Sequence, residues 1–105
     1  MRQVEVSTPG REMETRLAEN ALEKAWGLRR SEEGDMLFRT GRKVTLDSFL
    51  VEDSLNLYFL GGGRVLEIGV LEPGSIYRPD TGSEWLLESF ESLDLEEGDR
   101  VTVRV

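Results

Sequence analysis

Two apolar runs, "LNLYFL" (55–60) and "RVLEIGVL" (64–71), are separated by Gly61-Gly62-Gly63 and nothing else. Glycine inside a regular element gives up more backbone freedom than any other residue, whereas in a tight hairpin turn it reaches positive φ at no steric cost. The triplet therefore predicts an antiparallel strand pair in the middle of the chain, and with it a fold organised around a sheet. In the second strand, alternation places Leu66, Ile68 and Val70 on the inward face. Pro73-Gly74 then turns the chain again.

A strand ending in Val-Leu-Glu-Ile-Gly also invites a second reading, because class I methyltransferases begin to hold S-adenosylmethionine in a similar way. Such a loop needs several spaced glycines after the acidic residue, then a helix whose N-terminus faces the ligand. Here Gly69 is followed by Val70-Leu71-Glu72-Pro73, which continues a strand into a proline. The glycine triplet fails as a phosphate loop for a related reason: it precedes Arg64 and a strand, with no Lys-Ser or Lys-Thr and no helix. Neither stretch is a cofactor site, and no cofactor is implied anywhere in the chain.

The flanking sequence is read the same way. Val4 and Val6 alternate with polar neighbours, "STPGR" (7–11) supplies a Pro-Gly turn, and alternation resumes at Met13, Thr15 and Leu17, as in an opening hairpin. Met13, Leu17, Ala18, Ala21, Leu22, Ala25 and Trp26 also fall at helical spacing, so one amphipathic helix over about 12–27 competes with it. Asn20 followed by Glu23 forms a capping box that instead starts a short helix at Ala21 and ends it at Gly27. Further strands are expected at "DMLFRT" (35–40), "VTLDSFLV" (44–51) and "EWLLESF" (84–90). In the closing "RVTVRV", Val101, Val103 and Val105 face inward.

Composition narrows the chemistry. The 105 residues are read as a single domain, 1–105, with one modest core. There is no cysteine and no histidine, which removes disulfides, thiolate nucleophiles, imidazole bases and Cys/His metal sites. Thirteen basic against 21 acidic residues give a net charge of −8, a field that repels phosphate backbones and anionic lipid. Neither a nucleic-acid partner nor a membrane is expected. The N-terminal residues lack the apolar stretch of a secretory signal, so cytoplasmic residence is the default expectation.

Two groups of residues are candidates for function. Asp47, Glu52 and Asp53 carry carboxylates beside apolar residues and could serve a divalent cation, although their spacing is not that of a calcium loop. The segment "SIYRPDTGSEW" (75–85) brings Tyr77, Arg78 and Trp85 into one loop, with Asn56 on a neighbouring strand. Tyr, Arg and Trp are the usual anchors of recognition surfaces. The plainer reading has Tyr77 and Trp85 plugging the core and Arg78 paired with Asp80. No catalytic residue is identified. The expectation is a binding or interaction module for a small ligand or a protein, with a carboxylate-based, cation-assisted hydrolase as the alternative.

In order, "RLAENALEKAWGLRR", "DMLF", "SLNLYFL", "RVLEIGVLEPGSIYRP", "EWLLES" and "LEEGDRVTV" resemble a small family known as domain of unknown function 192, over residues 12 to 104. Members commonly run from a strand and short helix through Met-Leu-Phe, a Pro-Leu-Asp strand and a Tyr-x-Pro loop to a closing Gly-Asp-x-Val. The resemblance implies an α+β fold: a mostly antiparallel, strongly curved or partly closed sheet, one short helix near 20–27, and Thr15 to Ala18 as strand. It implies no assigned activity. The chain departs from the pattern where many members carry Trp-Met-Lys-Asn-Thr, reading "LDSFLV" (46–51) instead, and Ser54-Leu55-Asn56 replaces Pro-Leu-Asp. Arg29 stands where Met is usual.

Overall fold

Alternating apolar residues pair into strands along most of what the computed structural model describes, residues 2–18, 35–41, 43, 45–47 and 53–105. The strands are β1 (Arg2–Thr8), β2 (Arg11–Ala18), β3 (Met36–Arg39), β4 (Leu46–Asp47), β5 (Leu55–Gly61), β6 (Arg64–Leu71), β7 (Ile76–Tyr77), β8 (Trp85–Ser89) and β9 (Thr102–Arg104). Seven of them form one sheet in the order β6-β5-β8-β3-β2-β1-β9, and β4 pairs with β7 in a separate ribbon. Every pairing is antiparallel except β2 with β3.

The sheet curls until its two ends are joined. Val101 N–H donates to Gly63 O (2.9 Å), Val65 N–H to Asp99 O (2.9 Å) and Gly98 N–H to Val65 O (2.8 Å), so residues 98–101 run beside the start of β6. The same segment continues directly into β9, which pairs with β1. Its turn is built locally: Gly98 has φ 93°, Asp99 N–H donates to Glu96 O (3.1 Å), and Asp99 Oδ2 accepts Glu96 N–H (2.9 Å). Curling brings Val4 and Val6 from one end of the sheet into a single cluster with Leu60 and Val65 from the other, together with Leu17, Leu37, Tyr58, Leu87, Leu93, Leu95 and Val101.

Cross-strand rows explain why both faces of the sheet are apolar. On the inner face, Ile68, Tyr58, Leu87, Leu37 and Leu17 stand opposite one another in successive strands. The Tyr58 hydroxyl, buried in this row, accepts Leu93 N–H (2.9 Å) and so satisfies its polar end. On the outer face the neighbouring row runs Glu67, Phe59, Leu86, Phe38 and Ala18. Its apolar members belong to a second cluster with Met36, Leu55, Leu57 and Leu71. A strand with both faces buried reads as a continuous apolar run rather than an alternation, which is what "LNLYFL" is.

The structure corrects several expectations. The α+β class is overturned: among the described residues there is no helix, and the architecture is one curled mixed sheet. The short helix expected near 20–27 lies outside the described residues. Residues 12–18, which also fit a long helix, are strand because β1 and β3 supply main-chain partners on both sides; side-chain periodicity carries no information about those partners. Leu66 and Val70 face outward, 38% and 46% exposed, with Ile68 half-buried and Val65 and Leu71 buried. The register slips between Phe59 and Leu60, an extra residue at Leu66 that breaks the alternation, while Val70 sits at the sheet's rim. Val101 is buried and Val103 half-buried, but Val105 is 64% exposed. Of the strand expected over 44–51, only Leu46–Asp47 is described as strand. The two hairpins stand as expected, with Gly62 and Gly63 at φ 60° and 75°.

Thr15 is 1% exposed, facing the inner core on the same side of β2 as Leu17, and among the described residues its Oγ1 has no hydrogen-bond partner. A buried hydroxyl left unpaired costs about 1–3 kcal/mol, and a methyl group of the same shape removes that cost. Thr15→Val is therefore expected to raise stability by about 1 kcal/mol, read as a higher urea midpoint at unchanged m-value.

Candidate functional site

Where the closing segment meets the β5–β6 turn, the curled sheet leaves a cleft of about 220 Å³ lined by Leu60, Gly61, Gly63, Glu84, Trp85, Val101, Thr102 and Val103. Its walls follow from the pairing. Trp85 opens β8, opposite Leu60 on one side and Arg39 on the other. The Arg39 guanidinium lies 4.3 Å from the indole centroid, a cation–π contact that fixes the ring from the β3 side. Glu84 is held by its main chain: its N–H donates to Leu60 O (2.8 Å) and its carbonyl accepts Thr40 N–H (2.9 Å). The Thr40 hydroxyl also meets Ser83 O and Ser83 Oγ, each at 2.9 Å, tying the entry of β8 to the end of β3.

The Glu84 carboxylate caps the glycine turn, Oε1 accepting Gly62 N–H at 2.7 Å. A charge-assisted bond of that length holds both the turn and the carboxylate in place. The cleft thus offers a fixed indole edge, aliphatic walls from Leu60, Val101 and Val103, and one carboxylate on an exposed residue. Its volume lies below the roughly 300–1,000 Å³ of drug-sized pockets, so it suits a fragment of a few heavy atoms.

A second polar cluster lies on the outer face. Glu67 projects from β6 opposite Phe59. One carboxylate oxygen accepts the Tyr77 hydroxyl (2.7 Å); the other accepts Asp80 N–H (2.9 Å) and Thr81 N–H (3.1 Å). Tyr77 stacks on Phe59, ring centroids 5.7 Å apart and 17° from parallel. The ring lies so close over Gly69 that a Cβ there would overlap Tyr77 Cζ, Cε2 and Oη. Gly69 is therefore the seat of an aromatic ring, the close approach that a glycine inside a strand commonly marks. Burial first, then the hydrogen bond to Glu67, then the charges of Glu67, Asp80 and Glu97 push the Tyr77 phenol up to about 12. The cluster fastens residues 76–81 to the sheet.

The four residues expected to share a binding surface are not brought together. Asn56 and Trp85 both belong to the inner-face alternation, but Trp85 stands opposite Leu60, four positions or about 13 Å along β5 from Asn56. Tyr77 stacks on the outer face. Arg78 is exposed and forms no ion pair with Asp80. Only Trp85 lines the cleft. Of the carboxylates, Glu52 lies outside the described residues, Asp47 is in β4 and Asp53 is exposed; among the described residues no three acidic groups converge as metal ligands. Glu67 and Glu84 were missed. An acid between Leu66 and Ile68, and one directly before Trp85, were the available signals. Glu88, 1% exposed, faces the outer cluster opposite Met36 and Leu57 and takes no part in the cleft.

No family model matches the chain, and no curated protein does. Two solved structures share the fold. A protein of unknown function from Novosphingobium aromaticivorans DSM 12444 superposes with a TM-score of 0.74 at 23% identity, over 95% of this chain and 83% of its own. A protein from Sinorhizobium meliloti 1021, provisionally described as a transcription regulator, also gives 0.74, at 21% identity over 96% and 92%. At these identities the likeness establishes the architecture alone.

Two predictions follow the outer cluster. Gly69→Ala is expected to cost about 1–3 kcal/mol through overpacking against Tyr77. In a double-mutant cycle Tyr77→Ala should relieve most of that penalty, a coupling visible in urea melts. The second concerns pH. The Tyr77 pKa is raised from 10.0 to about 12, so the folded state keeps a proton that the unfolded chain releases. Its contribution to stability is complete below pH 10 and is lost as the pH rises toward 12. Absorbance at 295 nm should show a phenol titrating near 12 that is missing in Tyr77→Phe, and Glu67→Gln should move that midpoint down.

Proposed function

We propose that this protein is a small binding module whose ligand enters the cleft beside Trp85, and that the ligand carries a compact apolar group and a cationic nitrogen. The observation that carries this reading is the pairing, in one concavity, of an indole already fixed by Arg39 with a carboxylate already fixed by Gly62. Neither group has to be ordered on binding, which lowers the entropic cost of association. The net charge of −8 favours cations and disfavours phosphate and nucleic acid. The provisional description of the Sinorhizobium protein is thus not carried over to this chain. Among the described residues, no helix is long and apolar enough to cross a membrane.

Membership in the domain of unknown function 192 family belongs to the same proposal. Its support is physical: the Gly98-Asp99 pair of the closing motif makes the turn that returns the chain to β6, and of the Tyr-x-Pro residues Tyr77 stacks on Phe59 and Pro79 is buried.

The chain has two tryptophans, Trp26 and Trp85. In a Trp26→Phe background, isobutylamine and phenethylamine should quench or shift the Trp85 emission and raise the melting temperature, while isovalerate should do neither. Glu84→Gln should weaken amine binding by roughly tenfold, the usual effect of removing one charge from a polar contact. If no amine perturbs Trp85, or if Trp85→Ala binds amines as the parent does, the cleft is not the site.

A further inference from the structure

The edge of β9 carries main-chain groups that the closing of the sheet does not use. Val101 N–H donates to Gly63 O and Val65 N–H to Asp99 O, both at 2.9 Å, so residues 99 and 101 direct their main-chain groups at β6. That direction alternates along an extended strand. Thr102 and Arg104 therefore turn toward β1, opposite Ser7 and Glu5, and Val103 turns its N–H and C=O back to the β6 side. There β6 begins only at Arg64, and among the described residues no strand continues its line beyond the glycine turn. The two groups of Val103 thus open on the gap past the turn, and Val103 is itself a wall of the cleft.

A short extended segment fits this line, and the charges fix its direction. Laid parallel to β9 with its second residue beside Val103, it accepts Val103 N–H on the carbonyl of its first residue. The N–H of its third residue then donates to Val103 C=O, the slanted pattern of a parallel pair. The second side chain lies on the face of Val103, which packs half-buried against the inner cluster, with Trp85 as another wall of the same cleft. The N-terminus arrives at the glycine turn, where Gly62 N–H holds Glu84 Oε1 at 2.7 Å. Laid the other way, the segment would bring a carbonyl or a carboxylate to that acidic group.

We infer that the amine bound in the cleft is the N-terminal α-amine of an extended peptide, whose first residues add to the open edge of β9 at Val103. The inference rests on the amine-binding reading of the cleft given above and narrows it to one class of ligand. In strand addition, main-chain bonds supply affinity and the side chains that meet the protein supply selection. Here the selected position is the second residue, and a cleft of about 220 Å³ admits a small apolar side chain there, such as that of valine. The first residue lies beside Thr102, which is exposed, so its side chain points to solvent and is not selected. Val103 is already held by its pairing with Val6, so the cost of ordering falls on the peptide alone. Two main-chain bonds then give the peptide about tenfold in affinity over an amine with no peptide group.

The test titrates the full chain, in its Trp26→Phe form, with four compounds while Trp85 emission is read: isobutylamine, Ala-Val-Ala amide, the N-acetylated tripeptide, and an ester analogue in which oxygen replaces the N–H of the third residue. Ala-Val-Ala amide should bind about tenfold tighter than isobutylamine. Acetylation should weaken it about tenfold by removing the charge that Glu84 meets, and the ester about fivefold by removing the donor to Val103 C=O. Amide exchange reads the edge directly: the tripeptide should slow exchange at Val103 about tenfold, whereas isobutylamine, which offers that N–H no acceptor, should not. Binding of isobutylamine with no gain for the tripeptide overturns the inference and leaves the amine site standing. An acetylated peptide that binds as the free one does, or a Val103 amide that the bound tripeptide does not protect, overturns it as well. If Trp85 responds to none of the four compounds, the inference and the amine reading fall together.

Discussion

The inner core exists because residues 98–101 hydrogen-bond to the start of β6 while the residues that follow pair with β1. A seven-stranded sheet left open would present Val4 and Val6 at one end and Leu60 and Val65 at the other, each with half a surface to bury. Joining the ends turns these into one cluster and places Leu93, Leu95 and Val101 as its floor. The three main-chain bonds that do this lie at 2.8 to 2.9 Å. They also depend on a short piece of turn chemistry, Gly98 in the left-handed region and Asp99 accepting Glu96 N–H. Hydrogen bonds of this kind are each worth only about 1 kcal/mol net. Their leverage comes from the apolar area whose burial they make possible, at about 25 cal/mol per Å².

The outer face solves a different problem. Phe59, Leu86 and Phe38 form an apolar row on a surface that the closing strand does not reach. The chain covers part of that row with Tyr77, and covering it required a glycine at 69, where any Cβ would overlap the ring. Glu67 completes the arrangement. Its two oxygens accept three hydrogen bonds from the covering segment, so a carboxylate beside an aromatic stack is satisfied rather than stranded. The polar residue in the row and the missing side chain two positions later form one device.

How much of this was legible in the sequence depends on whether the deciding contact is local. The two hairpins were, because Pro9-Gly10 is a turn pair and Gly62 and Gly63 take the positive φ that a tight turn demands. The strand character of 12–18 was not decidable from periodicity, since the same apolar residues fit both periods and the choice was made by β1 and β3. The outward turn of Leu66 came from a one-residue bulge, and no residue type announces a bulge at that point. The candidate site suffered most. Asn56, Tyr77, Arg78 and Trp85 were grouped by nearness in sequence and by side-chain chemistry, yet alternation assigns Trp85 and Tyr77 to opposite faces. Glu84 joined the cleft through the glycine turn, a contact spanning 22 residues. Gly69 was legible as part of a strand, but its role as the seat of a ring needed the position of Tyr77, which only the tertiary fold supplies.

Incomplete closure explains where the cleft lies. The closing segment runs antiparallel to β6, with Asp99 beside Val65 and Val101 beside Gly63. From Thr102 it leaves the β5–β6 turn and pairs with β1, and Trp85, Leu60, Val101 and Thr102 line the cleft at that departure. The pairing stops at its other end for a separate reason, the turn that Glu96 to Asp99 make at Gly98. Beyond that turn, among the described residues, Leu66 to Leu71 have no main-chain partner on the outer side. A closed barrel has no such edge, and its side chains fill its mouth. Residues before Gly98 that continued along β6 would therefore complete the edge and leave the cleft as it is, because the cleft depends only on where the last strand changes neighbours. That this change falls where an indole and a carboxylate are already held in place is the physical reason to look for function at the β5–β6 turn.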